Sequence, residues 1–391
     1  MLKIFLFITL SGLSLQGMPQ STVSQVLQEI EKNNPHIQAQ QSYLEAQKLG
    51  FRAENNLADP EVEWEKSFSS EEGKPYEVLV SQSFDFPSAY LYKKQIKNQQ
   101  IANLSNQFAQ IRQEVLLQSE LICLELIYRN KQKKALETRV ENAQKLADFF
   151  EKRLQEGDAN ILETNKIKML LLNTTNQLAF IQNKILRLEK DLQMQNGGSR
   201  IDLSLENYPI IDVEKEAEQI LDKALQSDPY LNQLRSKQEI ASTETSLVKS
   251  NSLPTLSIGY RYINSDIMKE AHGMKLGISI PLWENKHKVK QAKLLEQFRK
   301  EEVSLGKMQK ESEYEKLFQR FLSLQVSLSN YQDVFVKKDY DRLLQKALQY
   351  GEISGIEYLM ESIYYYESFD TYLETEHEYY LTKAKIGRYL L

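Results

Sequence analysis

Leu253-Pro254-Thr255-Leu256-Ser257-Ile258-Gly259-Tyr260-Arg261-Tyr262 and, after a polar interval, Met274-Lys275-Leu276-Gly277-Ile278-Ser279-Ile280-Pro281 alternate with a period of two. Leu256, Ile258, Tyr260 and Tyr262 share one face, opposed by Ser257, Gly259 and Arg261; Met274, Leu276, Ile278 and Ile280 oppose Lys275, Gly277 and Ser279. This is the pattern of strands with one apolar and one polar face. Earlier in the chain the pattern recurs: Val62, Trp64 and Phe68 oppose Glu61, Glu63, Glu65 and Ser67, and Tyr76, Val78 and Val80 oppose Glu77, Leu79, Ser81 and Ser83. Each segment has about nine residues, the length of a tilted strand crossing an outer membrane. Stretches 69–75 and 264–273 are polar and read as loops. Two soluble amphipathic hairpins packed on helices would show the same alternation. A four-stranded sheet leaves open edges, which lipid does not tolerate. In a membrane, copies must share one barrel: a dimer gives eight strands, a trimer twelve.

The strands sit inside a repeat. Pro35 and Pro229, Pro60 and Pro254, Pro87 and Pro281, and Gly157 and Gly351 are each 194 residues apart. Pro and Gly fix turns and helix ends, so the matches place one architecture twice. The chain reads as repeat 1 over 21–207 and repeat 2 over 208–391, after a segment at 1–20. Each repeat is expected to hold a helix, two strands and a long helical hairpin. The first helices span about 22–57 and 213–253, the long ones about 88–155 and 284–350. A helix of 68 residues would be about 100 Å long. Ile167, Leu171, Thr174, Leu178, Ile181, Ile185, Leu188 and Leu192 alternate spacings of four and three. So do Leu136, Val140, Ala143, Ala147, Phe150 and Leu154, and Leu317, Phe321, Leu324, Leu328, Tyr331 and Phe335. These are coiled-coil seams, and they predict two antiparallel hairpins bent at Gly157 and Gly351.

Composition agrees. Of 391 residues, 41% are hydrophobic and 26% charged, with only 14 Gly and 9 Pro, a mixture that favours long helices. A net charge of −5 without a basic stripe argues against nucleic acid. Lys3, the apolar run Ile4 to Leu10 and the small or polar residues to Gly17 make a secretory signal, assigned to 1–20. Cys123 is the single cysteine and reads as a small core residue.

Signal, tandem repeat, four strands and two long hairpins together resemble the TolC family of outer-membrane efflux proteins. The resemblance is most specific at Leu253-Pro254-Thr255-Leu256, at Ser279-Ile280-Pro281-Leu282, and at the turns Leu154-Gln155-Glu156-Gly157 and Leu348-Gln349-Tyr350-Gly351. The Phe86-Pro87 step and compact loops are similar to the heavy-metal (cation) efflux branch. The resemblance implies a mainly α fold with a small β part, in a homotrimer with a 12-stranded β-barrel in outer-membrane lipid and an α-barrel tunnel in the periplasm. It further implies docking to a periplasmic adaptor (membrane fusion protein) and an inner-membrane pump of the RND type, for export of small molecules or metal cations. No cysteine follows the signal, which departs from many relatives and leaves anchoring to the barrel.

Glu163 and Glu357 each lie six residues past a turn glycine, with Asn160 and Ser354 three residues before them. One reading is a capping box at a helix start. The other, implied by the resemblance, is that Glu357, with Glu361 one helical turn on and Glu163 as the equivalent, lines a cation-selective constriction. Asp158 and Glu352, beside Gly157 and Gly351, either face water or meet the adaptor. His36, His272, His287 and His377 are widely separated and read as surface residues. Neither a metal-ligand spacing nor a nucleophile–base pair nor a phosphate loop is found, so neither an enzyme nor a cofactor is expected. Two other classes fit parts of the pattern. A periplasmic adaptor has one hairpin flanked by β-rich modules, and this chain has two hairpins and little strand. A structural coiled-coil protein of the envelope has no use for amphipathic strands at equivalent places.

Overall fold

Asn34-Pro35 and Asp228-Pro229 each end one helix and begin the next. The computed structural model describes residues 22–53, 57–68, 76–201, 207–209, 217–265, 269–283, 285, 287–335 and 340–391. The segment expected as a signal, the 69–75 loop, and residues 202–206 and 210–216 around the repeat boundary lie outside the described residues. In place of one helix over about 22–57 there are α1, Val23–Asn33, and α2, Pro35–Ala53. In place of one over about 213–253 there are α5, Ala217–Ser227, and α6, Pro229–Ser250. The break has a local cause. Asn34 Oδ1 accepts from the His36 and Ile37 N–H groups, and Asp228 accepts from the Leu231 N–H. With proline in the first helical position, the side chain before it caps a new helix.

Between these helix pairs and the hairpins lie four strands. They are β1, Glu61–Lys66, β2, Tyr76–Phe84, β3, Thr255–Ser265, and β4, Lys269–Ser279. They form one antiparallel sheet in chain order. The stretch read as a loop over 264–273 is mostly ladder, with Asn264 opposite Glu270 and Tyr262 opposite His272. Backbone pairing continues there beyond the apolar side chains.

The long helix α3 runs Pro87–Gln155, 69 residues without a break, or about 100 Å. It turns at Gly157 into α4, Ile161–Gln195. The second long helix is described as α7, Lys288–Phe335, and α8, Tyr340–Gln349, followed by α9, Gly355–Gly387. Nearer the turns, α3 packs against α4 and α9, and α7 against α9; nearer the strands, α6 lies between α3 and α7. The predicted seam is buried at Ile167, Thr174, Ile181, Ile185 and Leu192. The other hairpin has an aromatic seam, where Phe335 meets Tyr331, Tyr365, Phe369 and Tyr372.

Midway along the helices α1 packs onto the bundle. Val26, Ile127 and Leu192 join one core, with Cys123 fully buried beside them. Ile220, Phe321 and Ile386, each 194 residues later, join another. Of the four histidines His377 departs from expectation: it is 4% exposed, stacked on Tyr128 at 4.5 Å, with Nε2 2.7 Å from Glu125. Its flat ring fills the gap between α3 and α9, a fit invisible in a lone residue.

Candidate functional site

The sheet separates two chemistries. Residues paired across the ladder share a face, so the register Val62–Val80–Tyr260–Met274 and Trp64–Val78–Tyr262–His272 defines one surface. Leu256, Ile258, Leu276 and Ile278 extend it. This surface is apolar and uncovered: Leu276 is 79% exposed and Trp64 65%. Trp283, 82% exposed, and Phe86 stand at its helix end, with Tyr76 and Tyr262 at the far end. Aromatic residues bounding an outward apolar band are the dress of a lipid-facing barrel wall. From Tyr76 to Phe84 a strand tilted at about 40° rises about 20 Å, close to the height of such a band. The opposite face carries Glu61, Glu63, Glu65, Glu77, Arg261 and Lys275. Glu77 and Arg261 pair there at 2.5 Å. Gly259 and Gly277 occupy that face because a Cβ at either would press on Val80 O and Leu79, or on Ser257 Oγ. Among the described residues no helix is long and apolar enough to cross a membrane.

At the far end of the hairpins the two turns are built alike. Gly157 has φ +81° and Gly351 φ +73°. The Gly157 and Asp158 N–H groups donate to Leu154 and Arg153 carbonyls; those of Gly351 and Glu352 donate to Leu348 and Ala347. These are Schellman closures, where a left-handed residue satisfies the last helix carbonyls. No atom lies within 4 Å of where a Cβ would stand at either glycine. Asp158 and Glu352 are exposed beside them.

The expected glutamates lie just beyond. Ser354 Oγ accepts from the Glu357 N–H at 3.2 Å, and the Ser354 N–H donates to Glu357 Oε2 at 2.7 Å, a complete capping box. Those bonds hold the exposed Glu357 carboxyl below the usual carboxylate range. In the first hairpin Asn160 accepts from the Leu162 N–H and caps α4. Glu163 is half-buried in that first turn. Glu361 accepts from the Tyr340 hydroxyl at 3.0 Å, which ties α9 to α8 and raises the Tyr340 pKa.

Two features here had no sequence forecast. A groove of about 390 Å³ runs between the hairpins near the turns, lined by Asn142, Leu146, Phe149, Gln345, Leu348 and Tyr358. The Phe150 ring occupies the place where a Cβ on Gly355 would stand. Its only sequence signal is a glycine at the first position of a helix, where residue 161 in the other hairpin is Ile.

No protein-family model matches the chain, and no curated protein does. Solved structures do. CusC, studied for folding and transmembrane channel formation, aligns with a TM-score of 0.77 at 15% identity over 95% of this chain and 92% of its own. The outer membrane protein VceC from Vibrio cholerae aligns at 0.71 and 13% identity, over 94% and 93%. The Campylobacter jejuni CmeC outer membrane channel aligns at 0.69 and 12%, over 94% and 85%. The chain has a TolC-like fold, shared with these structures over nearly its whole length.

Proposed function

We propose that three copies of this chain form the outer-membrane channel of an efflux pump, one 12-stranded barrel continued by a helical tunnel in the periplasm. One observation carries the reading: a four-stranded sheet with an uncovered apolar face and two open edges stands at one end of a helix, α3, about 100 Å long, whose far end turns back into a hairpin. Only further strands can satisfy the edges in lipid. The fold shared with CmeC and VceC supports an outer-membrane location. The 194-residue offset between the two cores supports two repeats, 21–207 and 208–391.

In this arrangement the turns at Gly157 and Gly351 are the periplasmic end. With Asp158, Glu352 and the nearby groove they meet a hairpin of a periplasmic adaptor, behind which stands an inner-membrane pump of the RND type. Glu357, Glu361 and Glu163 are the carboxylates placed to line that end, where crowding of like charge favours a cation. Small molecules or metal cations pass through, selected by the pump. Mass measurement in mild detergent tests the core of the proposal. Three times the chain mass, with heat-modifiable mobility from the outer-membrane fraction, is expected. A stable monomer among periplasmic proteins overturns it.

A further inference from the structure

The two open edges of the sheet carry opposite charge, and the polarity reverses between its faces. On the polar face, β1 presents Glu61, Glu63 and Glu65, and β4 presents Lys269 and Lys275. On the apolar face the rim positions are Lys66 on β1 and Glu270 on β4, joined across the sheet by the row Lys66–Tyr76–Asn264–Glu270. Among the described residues none of these seven has an ionic partner. The interior of the polar face behaves differently, since Glu77 on β2 is paired with Arg261 on β3. The two charged residues of the inner strands are thus matched to each other, while the charges of the two edge strands are left unmatched.

Three glutamates two residues apart stand about 7 Å from one another. They repel, and the repulsion is relieved by a strand bearing lysines at the same parity. We propose that the β1 edge of one chain closes on the β4 edge of a second copy through two oppositely polarised sets of ion pairs. Glu61, Glu63 and Glu65 face Lys269 and Lys275 in the lumen, and Lys66 faces Glu270 at the outer rim. The inference rests on the trimeric reading above and adds what chooses the partner edge and the parity of the pairing.

Parity makes the seam selective. Side chains alternate with a period of two, so a slip by one residue sets the glutamates against the face of Met274, Leu276 and Ile278. A slip by two keeps acid facing base. Two β1 edges cannot pair, because acid would meet acid, and two β4 edges are barred by their lysines. Only the β1-to-β4 contact remains, and a contact between unlike edges builds a ring.

The test uses the full chain purified in mild detergent, with trimer and monomer separated on gels after stepwise heating. One variant reverses β1 (Glu61→Lys, Glu63→Lys, Glu65→Lys), one reverses β4 (Lys269→Glu, Lys275→Glu), and one combines all five. Each single-edge reversal is expected to lose the trimer band at a temperature where the unaltered protein keeps it, and the combination to regain it. For the unaltered protein, which must fold for the reading above to hold, added sodium chloride should lower the dissociation temperature. A trimer indifferent to salt and to single-edge reversal, or a combination no better than either reversal, overturns the seam while leaving the trimer standing. An unaltered protein that runs as a monomer overturns both.

Discussion

The Glu357 carboxylate sits 2.7 Å from the Ser354 nitrogen, so the residue proposed to line the tunnel end closes the first turn of its own helix. Gln keeps the acceptor oxygen and removes the charge. Glu357→Gln should lower the melting temperature only slightly, through loss of the ionised carboxylate that the Ser354 bonds favour, and Glu357→Ala, which also loses the acceptor, should lower it more. If the carboxylate also lines the pore, Glu357→Gln lowers cation selectivity in planar bilayers and weakens block by divalent or trivalent cations from the periplasmic side. Unaltered selectivity and block would leave Glu357 a cap and nothing more.

Gly351 has positive φ and open space where a side chain would go. Gly351→Ala should cost about 1–2 kcal/mol through backbone conformation alone. Gly351→Trp should pay a similar amount, keep the trimer, and set an indole on the turn. Transport and crosslinking to adaptor should then fall. Full transport with normal crosslinking would remove the turn from the docking surface.

Glu120 is buried on α3 next to the Cys123 core, and burial lifts its carboxyl from 4.5 to about 7. An acid whose folded pKa is raised stabilises the fold fully below its unfolded pKa. It loses that contribution as pH rises through the folded value. Glu120→Gln should therefore be close to neutral at pH below about 4.5 and more stable than the unaltered protein at pH 8, by about 1–3 kcal/mol. Equal urea midpoints for the two proteins at pH 8 would contradict this.

Asp228 caps α6 and is buried against two cations, Arg388 at 3.4 Å and Lys310 at 3.7 Å. Removing it takes away the cap and leaves the cations short of a partner. Asp228→Ala should cost about 2–4 kcal/mol, and Asp228→Asn, which keeps the cap, clearly less. Equal losses in thermal denaturation would show that the charge and not the cap matters.

The strands and hairpin seams were legible because their information is periodic. The alternation at Leu256 to Tyr262 and the heptads from Ile167 to Leu192 each repeat a choice many times. The breaks at Pro35 and Pro229 are also written in the chain, as Asn or Asp before Pro, although the repeat spacing alone reads them as landmarks inside one helix. Single-residue facts were out of reach. Nothing local distinguishes His377, sealed against Tyr128, from the exposed His36. At the turns, the glycines and the Ser354 cap could be read from spacing, because caps are short-range. The groove lined by Phe149 and Tyr358 could not, since it depends on how two helices over 200 residues apart are set side by side.

Phe150 lying on Gly355 joins the neighbourhood of one turn to the other. In the proposed ring of three chains this contact would join the two turns of each chain, giving the rim three two-pronged units. A bulkier residue at 355 would push the Phe150 ring aside and loosen this joint, while the Arg139–Asp370 and Lys131–Glu376 pairs still tie α3 to α9.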